Sequence, residues 1–219
     1  KATTPQSYLQ LMSMIDMVAY HRDQRKIHNI KEIRLDRAYL SIPFDMRKSA
    51  VITCVAEITS RCVTTSYAQS DLFQFLHHEL VEYDKPDQYD RDFLIRYLVS
   101  LTHFLGFGIE LPLDGTSDKY LDLLAGNLVT VRPSHDYVMS SEEIASLQLI
   151  MTAGSQIREN IPLETRRRII DQLVVYYQLH VETEVHDDTV VYHVFFAFQR
   201  DFTGFLDLGF GFEFLLIFQ

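Results

Sequence analysis

Between Phe44 and Glu110, apolar residues recur at the three-and-four spacing of an α-helix. Three stretches carry the pattern: FDMRKSAVITCVAEITSRCV, SDLFQFLHHELVEY and YDRDFLIRYLVSLTHFLGFGIE. In the first, Val51, Val55, Ile58 and Cys62 form a stripe that Ala50 and Cys54 widen, with Thr53, Glu57, Arg61 and Thr64 opposite. In the third, Leu94, Tyr97, Leu98, Leu101, Phe104 and Leu105 form the stripe, with Asp92, Arg96, Ser100 and His103 opposite. Apolar stripes must be covered and short connections make antiparallel neighbours, so three helices are expected to pack on one another. Asp45 suits the N-cap of the first and Ser70 that of the second. Gly106 suits a left-handed stop after the third.

The period changes on either side. SYLQLMSMIDMVAY alternates from Met14 to Tyr20 and reads as a strand, and IHNIKEIRL reads as its partner. Ile30 and Ile33 fall on opposite faces of a regular strand, which leaves room for a bulge. LSIPFD is a linker in which Pro43 biases Ile42 away from helix. After a loop over residues 111–119, YLDLLAGNLVTV reads as a hairpin around Ala125-Gly126-Asn127. Ser140 and Glu143 make a capping box for a helix with Ile144, Leu147 and Met151 inward. A last helix starts near Pro162 and runs through Ile169, Ile170, Leu173 and Tyr177. Arg166, Arg167 and Arg168 fan around its start and read as solvated surface. From about Val181 the chain holds nine of its fifteen Phe and one basic residue, Arg200. Such a tail must pair with a sheet or be an out-of-frame end, because exposed it is an aggregation hazard.

Composition alters this picture mainly through charge. The formal net charge is −10, which argues against a uniformly basic nucleic-acid binder. From Lys1 to Lys48, however, nine Lys/Arg stand against five Asp/Glu, and from Ser49 onward eleven stand against twenty-five. Arg22, Arg25, Lys26, Lys31, Arg34 and Arg37 gather on the hairpin and its second strand. They suit neutralisation of backbone phosphates, with Tyr20, His21 and His28 available to stack on bases. They equally suit a solvated hairpin edge guarded by cations against edge-to-edge pairing. Cys54 and Cys62, eight residues apart on one helix, lie ~12 Å apart at about 1.5 Å per residue. That is too far for a disulfide, so both are expected to be buried thiols in a reducing compartment. No apolar run reaches the length of a membrane span, and no leader peptide is evident. The chain opens at Lys1 without Met and is expected to be a fragment.

Catalytic signatures are weak. No phosphate-binding glycine loop and no nucleophile elbow occurs. His77, His78 and Glu79 are adjacent and point in different directions. His78 and Glu82 have ligand spacing, but such a pair is commonly a solvated face. Asp114, Asp118 and Asp122 do not match a calcium loop. The expectation is no enzyme, no metal and no cofactor.

FDMRKSAVITCVAEITSRCV, DRDFLIRYLVSLTHFLGFGIE and YLDLLAGNLVTVRP together resemble the bacterial DNA repair and recombination family RecO, in its Bacteroidetes-type form. The helix ending FLGFGIE is the most telling piece, and the resemblance covers about Ser7 to Val181. It implies an α+β chain: the C-terminal part of an N-terminal OB-fold (1–42), a mainly helical domain with a small hairpin (43–180), and an atypical Phe-rich tail (181–219). It implies binding of single- and double-stranded DNA, strand annealing, and loading of recombinase together with RecR on DNA coated by single-strand binding protein, whose C-terminal tail is a further partner. It implies no membrane and a cytoplasmic, nucleoid-associated location. DNA contacts in the family lie largely on the OB-fold, which points to the same six cations. The family's first OB strands are expected before Lys1. Many relatives carry a four-cysteine zinc site after the third helix; residues 106–160 here contain no cysteine. A helical protein-interaction adaptor without DNA binding is the competing expectation.

Overall fold

Asp45 accepts a hydrogen bond from the Arg47 amide and so starts the first helix, where the linker had pointed. The computed structural model describes Pro5, Tyr8, residues 10–20, 29–63, 70–111 and 119–152, Arg158, and residues 160–181. These form an α+β chain of five helices, α1 (Met46–Cys62), α2 (Ser70–Tyr83), α3 (Phe93–Phe104), α4 (Ser141–Thr152) and α5 (Leu163–His180). Two antiparallel sheets accompany them. One pairs β1 (Met14–Tyr20) with β2 (Asn29–Arg37); the other has the order β4-β3-β5, from β3 (Tyr120–Asp122), β4 (Asn127–Val129) and β5 (Val138–Met139). The chain divides into two compact units, Lys1–Tyr97 and Leu98–Gln219. The Phe-rich tail and Thr64 lie outside the described residues.

In the first unit the expected stripe of α1 is buried at Val51, Cys54, Val55 and Ile58, joined by Ile52, Ala56 and Thr59. Cys62 is half-buried. Both thiols are free, and burial pushes Cys54 up to about 12 and Cys62 to about 11. Neither is a thiolate at neutral pH. Thr59 donates to the Val55 carbonyl, so in its 2.5 Å hydrogen bond with Tyr97 the tyrosine hydroxyl is the donor. Phe75 stacks on Tyr97 and Tyr83 on Phe93, so the first turns of α3 meet both α1 and α2. The expected mutual packing of the three helices is observed there.

Five expectations for the helices need correction. Asp92 is buried, because it sits at the start of α3 with its amide bonded to Asp90. Phe104 is exposed at the other end of that helix, where the chain turns off through Gly106 at φ +86°. Apart from Arg96 and Ser100, α3 is buried all round from Phe93 to Thr102, as suits a helix that is apolar on every side. Ser70 lies inside the first turn of α2 and bonds the Asp71 carboxylate, so it is not a cap. In the second unit the inward residues of α4 are Ile144, Leu147 and Ile150, with Met151 half-buried. Arg166 is not solvated surface: it is buried, and its guanidinium donates to the carbonyls of Ile161 and Arg158 at the entry to α5.

The linker between β2 and α1 is held by one carboxylate. Asp84, buried at the end of α2, accepts the backbone N–H groups of Leu40 (2.6 Å), Ser41 (2.9 Å) and Ile42 (2.9 Å). Beneath them Lys48 is 2% exposed and donates to Ser41 Oγ (2.7 Å), the Tyr83 carbonyl (3.0 Å) and the Lys85 carbonyl (2.7 Å). That uses every proton of its ammonium.

The hairpin forms where the sequence placed it, with Asp122 opposite Asn127. Gly126 adopts φ +70°, and a Cβ there would come within 3.0 Å of the Tyr176 hydroxyl, which donates to the Phe107 carbonyl. Gly126→Ala is therefore expected to cost about 1–2 kcal/mol from the left-handed backbone alone; a urea titration checks it. The third strand, β5, was not anticipated. Its two residues pair with β3, too short a run to give a period.

Candidate nucleic-acid interface

The six cations singled out by sequence divide at the hairpin. Arg22, Arg25 and Lys26 lie outside the described residues, as do His21 and His28. Lys31, Arg34 and Arg37 are exposed on β2. The register explains how they are set. Val18 lies opposite Glu32 and Ala19 opposite Ile30, so Lys31 is an extra residue without a cross-strand partner. Met14 lies opposite Arg37 and Ile15 opposite Leu35, so Asp36 is a second one. These are β-bulges, and the first is the irregularity the isoleucine spacing allowed for. Residues opposite each other share a face. One face therefore gathers Ile15, Met17, Ala19, Ile30, Ile33 and Leu35, and the other gathers Asp16, Val18, Tyr20, Asn29, Glu32 and Arg34.

Electrostatically the described ribbon is mixed. Arg34 donates to Asp16 at 2.9 Å and 2.8 Å, which raises the guanidinium's already high affinity for its proton. Both side chains are well exposed, and an exposed pair of this kind is weak and screened by salt. Glu32 and Asp36 stand beside Lys31 and Arg37 in sequence. Two other basic residues counted in the N-terminal excess are committed: Arg47 forms a bidentate pair with Asp45 and lies over the Tyr89 ring, and Lys48 is buried. Sequence reasoning missed the Asp16–Arg34 pairing, which spans eighteen positions; aligning the strands with the bulge in place would have exposed it. The apolar face is open, with Met17 54% and Ile30 52% exposed.

The weaker metal candidates do not converge. Glu82 is bound by Lys85, and His77 lies 3.9 Å from Asp36. Among the described residues no three His, Cys, Asp or Glu side chains gather to hold a metal ion. Nor is any described helix long and apolar enough to cross a membrane.

Comparison with known proteins adds what the geometry alone does not. Residues 43–188 match the model of the family described as recombination protein O, C terminal. That span is well over half of the chain. The chain belongs to the RecO family. A RecO-family DNA repair protein of Phocaeicola vulgatus is 26% identical over 174 residues, 78% of this chain and 72% of its own. One from Bacteroides fragilis is 27% identical over 184 residues, 83% of this chain and 76% of its own. One from Christiangramia forsetii is 24% identical over 178 residues, 80% and 73% respectively. No solved structure matches the chain. The RecO resemblance read from the helical motifs is thus shown, and with it a role in DNA repair and recombination.

Proposed function

We propose that this RecO-family chain is a non-catalytic mediator of homologous recombination. It binds single- and double-stranded DNA, anneals strands, and helps load recombinase with RecR on DNA covered by single-strand binding protein. The family match carries the reading, and the cations that the sequence gathers from Arg22 to Arg37 support it. In this reading the ribbon is the closing part of an OB-fold within residues 1–42, followed by the helical domain of 43–180 and the tail of 181–219. Further strands cover the apolar face of Ile15, Met17, Ile30 and Ile33. Arg22, Arg25, Lys26, Lys31, Arg34 and Arg37 neutralise phosphates. Asp16 gives up Arg34 to the polyanion, because an exposed carboxylate competes poorly with a phosphate backbone. The protein works in the bacterial cytoplasm at the nucleoid, and the acidic C-terminal tail of single-strand binding protein docks on its helical domain.

Titration with an oligodeoxythymidine at several salt concentrations tests the DNA part. If six phosphates are neutralised, log K falls with log salt at a slope of about −4 for a single strand. Reversing the charges of Arg25, Lys26 and Arg34 together is expected to reduce that slope by about 2 units and weaken binding at least tenfold. Equal affinity at low and high salt would count decisively against it.

The alternation of Lys31, Arg34 and Arg37 with Glu32, Asp36 and Asp16 favours a second reading, a protein-interaction adaptor without DNA binding. Side-by-side titration with the oligonucleotide and with the single-strand binding protein tail peptide separates the two.

A further inference from the structure

The described part of the ribbon answers each of its cations with an acid. Asp16 stands on β1, and Glu32 and Asp36 alternate with Lys31, Arg34 and Arg37 on β2, so the two strands together carry no net charge. On the face that gathers Asp16, Val18, Tyr20, Asn29, Glu32 and Arg34, two carboxylates stand against one guanidinium. Asp16 lies directly opposite Arg34 and takes its Nε–H (2.9 Å) and an Nη2–H (2.8 Å) on a single oxygen, Oδ2. Glu32 and Asp36 act on the same guanidinium through space, less strongly than Asp16 does.

A guanidinium has more N–H donors than this pair uses, and the Arg34 side chain is 72% exposed with Asp16 52% exposed. A phosphate oxygen can therefore reach Arg34, but it meets a cation that already has a counter-charge. By one route it displaces Asp16, whose freed carboxylate then draws a cation from solution. By the other it shares the guanidinium with Asp16, and one positive charge answers two negative ones. Both routes cancel most of the counterion release that a phosphate contact ordinarily supplies. The pair is too weak to keep a phosphate chain away, because both partners stand in water and salt screens them. Its effect is to reduce the strength of the contact, not to block it.

We propose that Asp16 is an internal competitor for the phosphate that Arg34 receives, and so sets the strength and the salt dependence of DNA binding on the ribbon. This role rests on the DNA-binding function proposed above. Titration of the full chain with oligodeoxythymidine at several salt concentrations reads it. Asp16→Asn is expected to tighten binding about threefold at low salt, the scale of an exposed ion pair. It should also steepen the slope of log K against log salt by about 0.7, the share of one phosphate on a single strand. Glu32→Gln removes the same charge from the same face without a bond to Arg34, and should gain clearly less. In an Arg34→Gln background Asp16→Asn should gain little, a double-mutant cycle that separates the pair from a general change in charge. None of these exposed substitutions should move the urea midpoint. Weaker binding by Asp16→Asn overturns the proposal, because the carboxylate would then be a buttress that aims the guanidinium. The same gain in the absence of Arg34 overturns it too. If wild type binds with no salt dependence, the competitor role falls together with the DNA part of the proposed function. A salt-dependent wild type beside an Asp16→Asn variant of equal affinity and slope sinks the competitor role alone.

Discussion

Replacing Asp84 by alanine is expected to destabilise the first unit by about 4 kcal/mol. The carboxylate is the acceptor for three amides in succession, at Leu40, Ser41 and Ile42. Its removal leaves those donors without a partner in a part-buried turn, each costing about 1–3 kcal/mol and not fully additive. Asp84→Asn keeps one side-chain oxygen but replaces the other with a donor facing donors, so its loss should fall only slightly short of alanine's. Lys48 makes the effect worse. Burial already lowers its affinity for a proton, and Asp84 is the foremost group pulling the other way. The sign follows from linkage. A lysine whose folded value is depressed releases its proton first in the native state, so its contribution to stability rises with pH through the window below the ordinary value of about 10.4. Urea titration of wild type, Asp84→Ala and Asp84→Asn reads the loss, and hydrogen exchange should show the amides of residues 40–42 unprotected in both variants. A midpoint within 1 kcal/mol of wild type, a scale set by surface substitutions, would show that the turn is held by something else.

What the sequence made legible was local. The stripe of α1, the Asp45 cap, the Gly106 stop, the hairpin at Gly126 and the capping box at Ser140 each rest on residues within a few positions of one another. The bulge belongs with them, because Ile30 and Ile33 are three apart and a strand alternates in twos. What could not be read joins distant positions. Asp84 meets the linker across more than forty residues, and Tyr177 reaches the Leu98 carbonyl across seventy-nine. Nothing in DKPDQ, where Asp84 stands, distinguishes its carboxylate from the exposed Asp87. Arg166 reads as surface for the same reason, since three adjacent arginines look solvated until one carbonyl-lined pocket takes the first. The candidate interface was legible as composition, through the cations of residues 22–37. Which of them are already engaged was not, because the Asp16–Arg34 pair depends on the strand register.

Glu143→Ala is expected to cost about 3 kcal/mol in the second unit, and the loss should depend on acidity. The side chain is buried and gathers four donors: the Ser140 amide (2.8 Å), the Ser140 hydroxyl (2.7 Å), Arg168 Nε (3.0 Å) and Gln172 Nε2 (3.3 Å). It closes the capping box of α4 and ties that helix to α5, whose Gln172 also reaches the Val138 carbonyl on β5. Burial pushes the carboxyl up, but the two Ser140 bonds, Gln172 and Arg168 outweigh it and hold the group below its ordinary range. A carboxylate lowered on folding contributes stability that is fully present above its unfolded value, about 4.3, and is lost as pH falls through the folded value. The stability difference between wild type and Glu143→Gln, which stays uncharged at every pH, should therefore be largest near neutrality and shrink towards about pH 3. Urea titrations of both proteins at the two pH values measure it. A difference that does not change with pH would mean the hydrogen-bond geometry alone, rather than the negative charge, holds α4 to α5. Arg168→Met would then cost no more than the contacts of its aliphatic stem, because the guanidinium would have lost its counter-charge as a reason to stay.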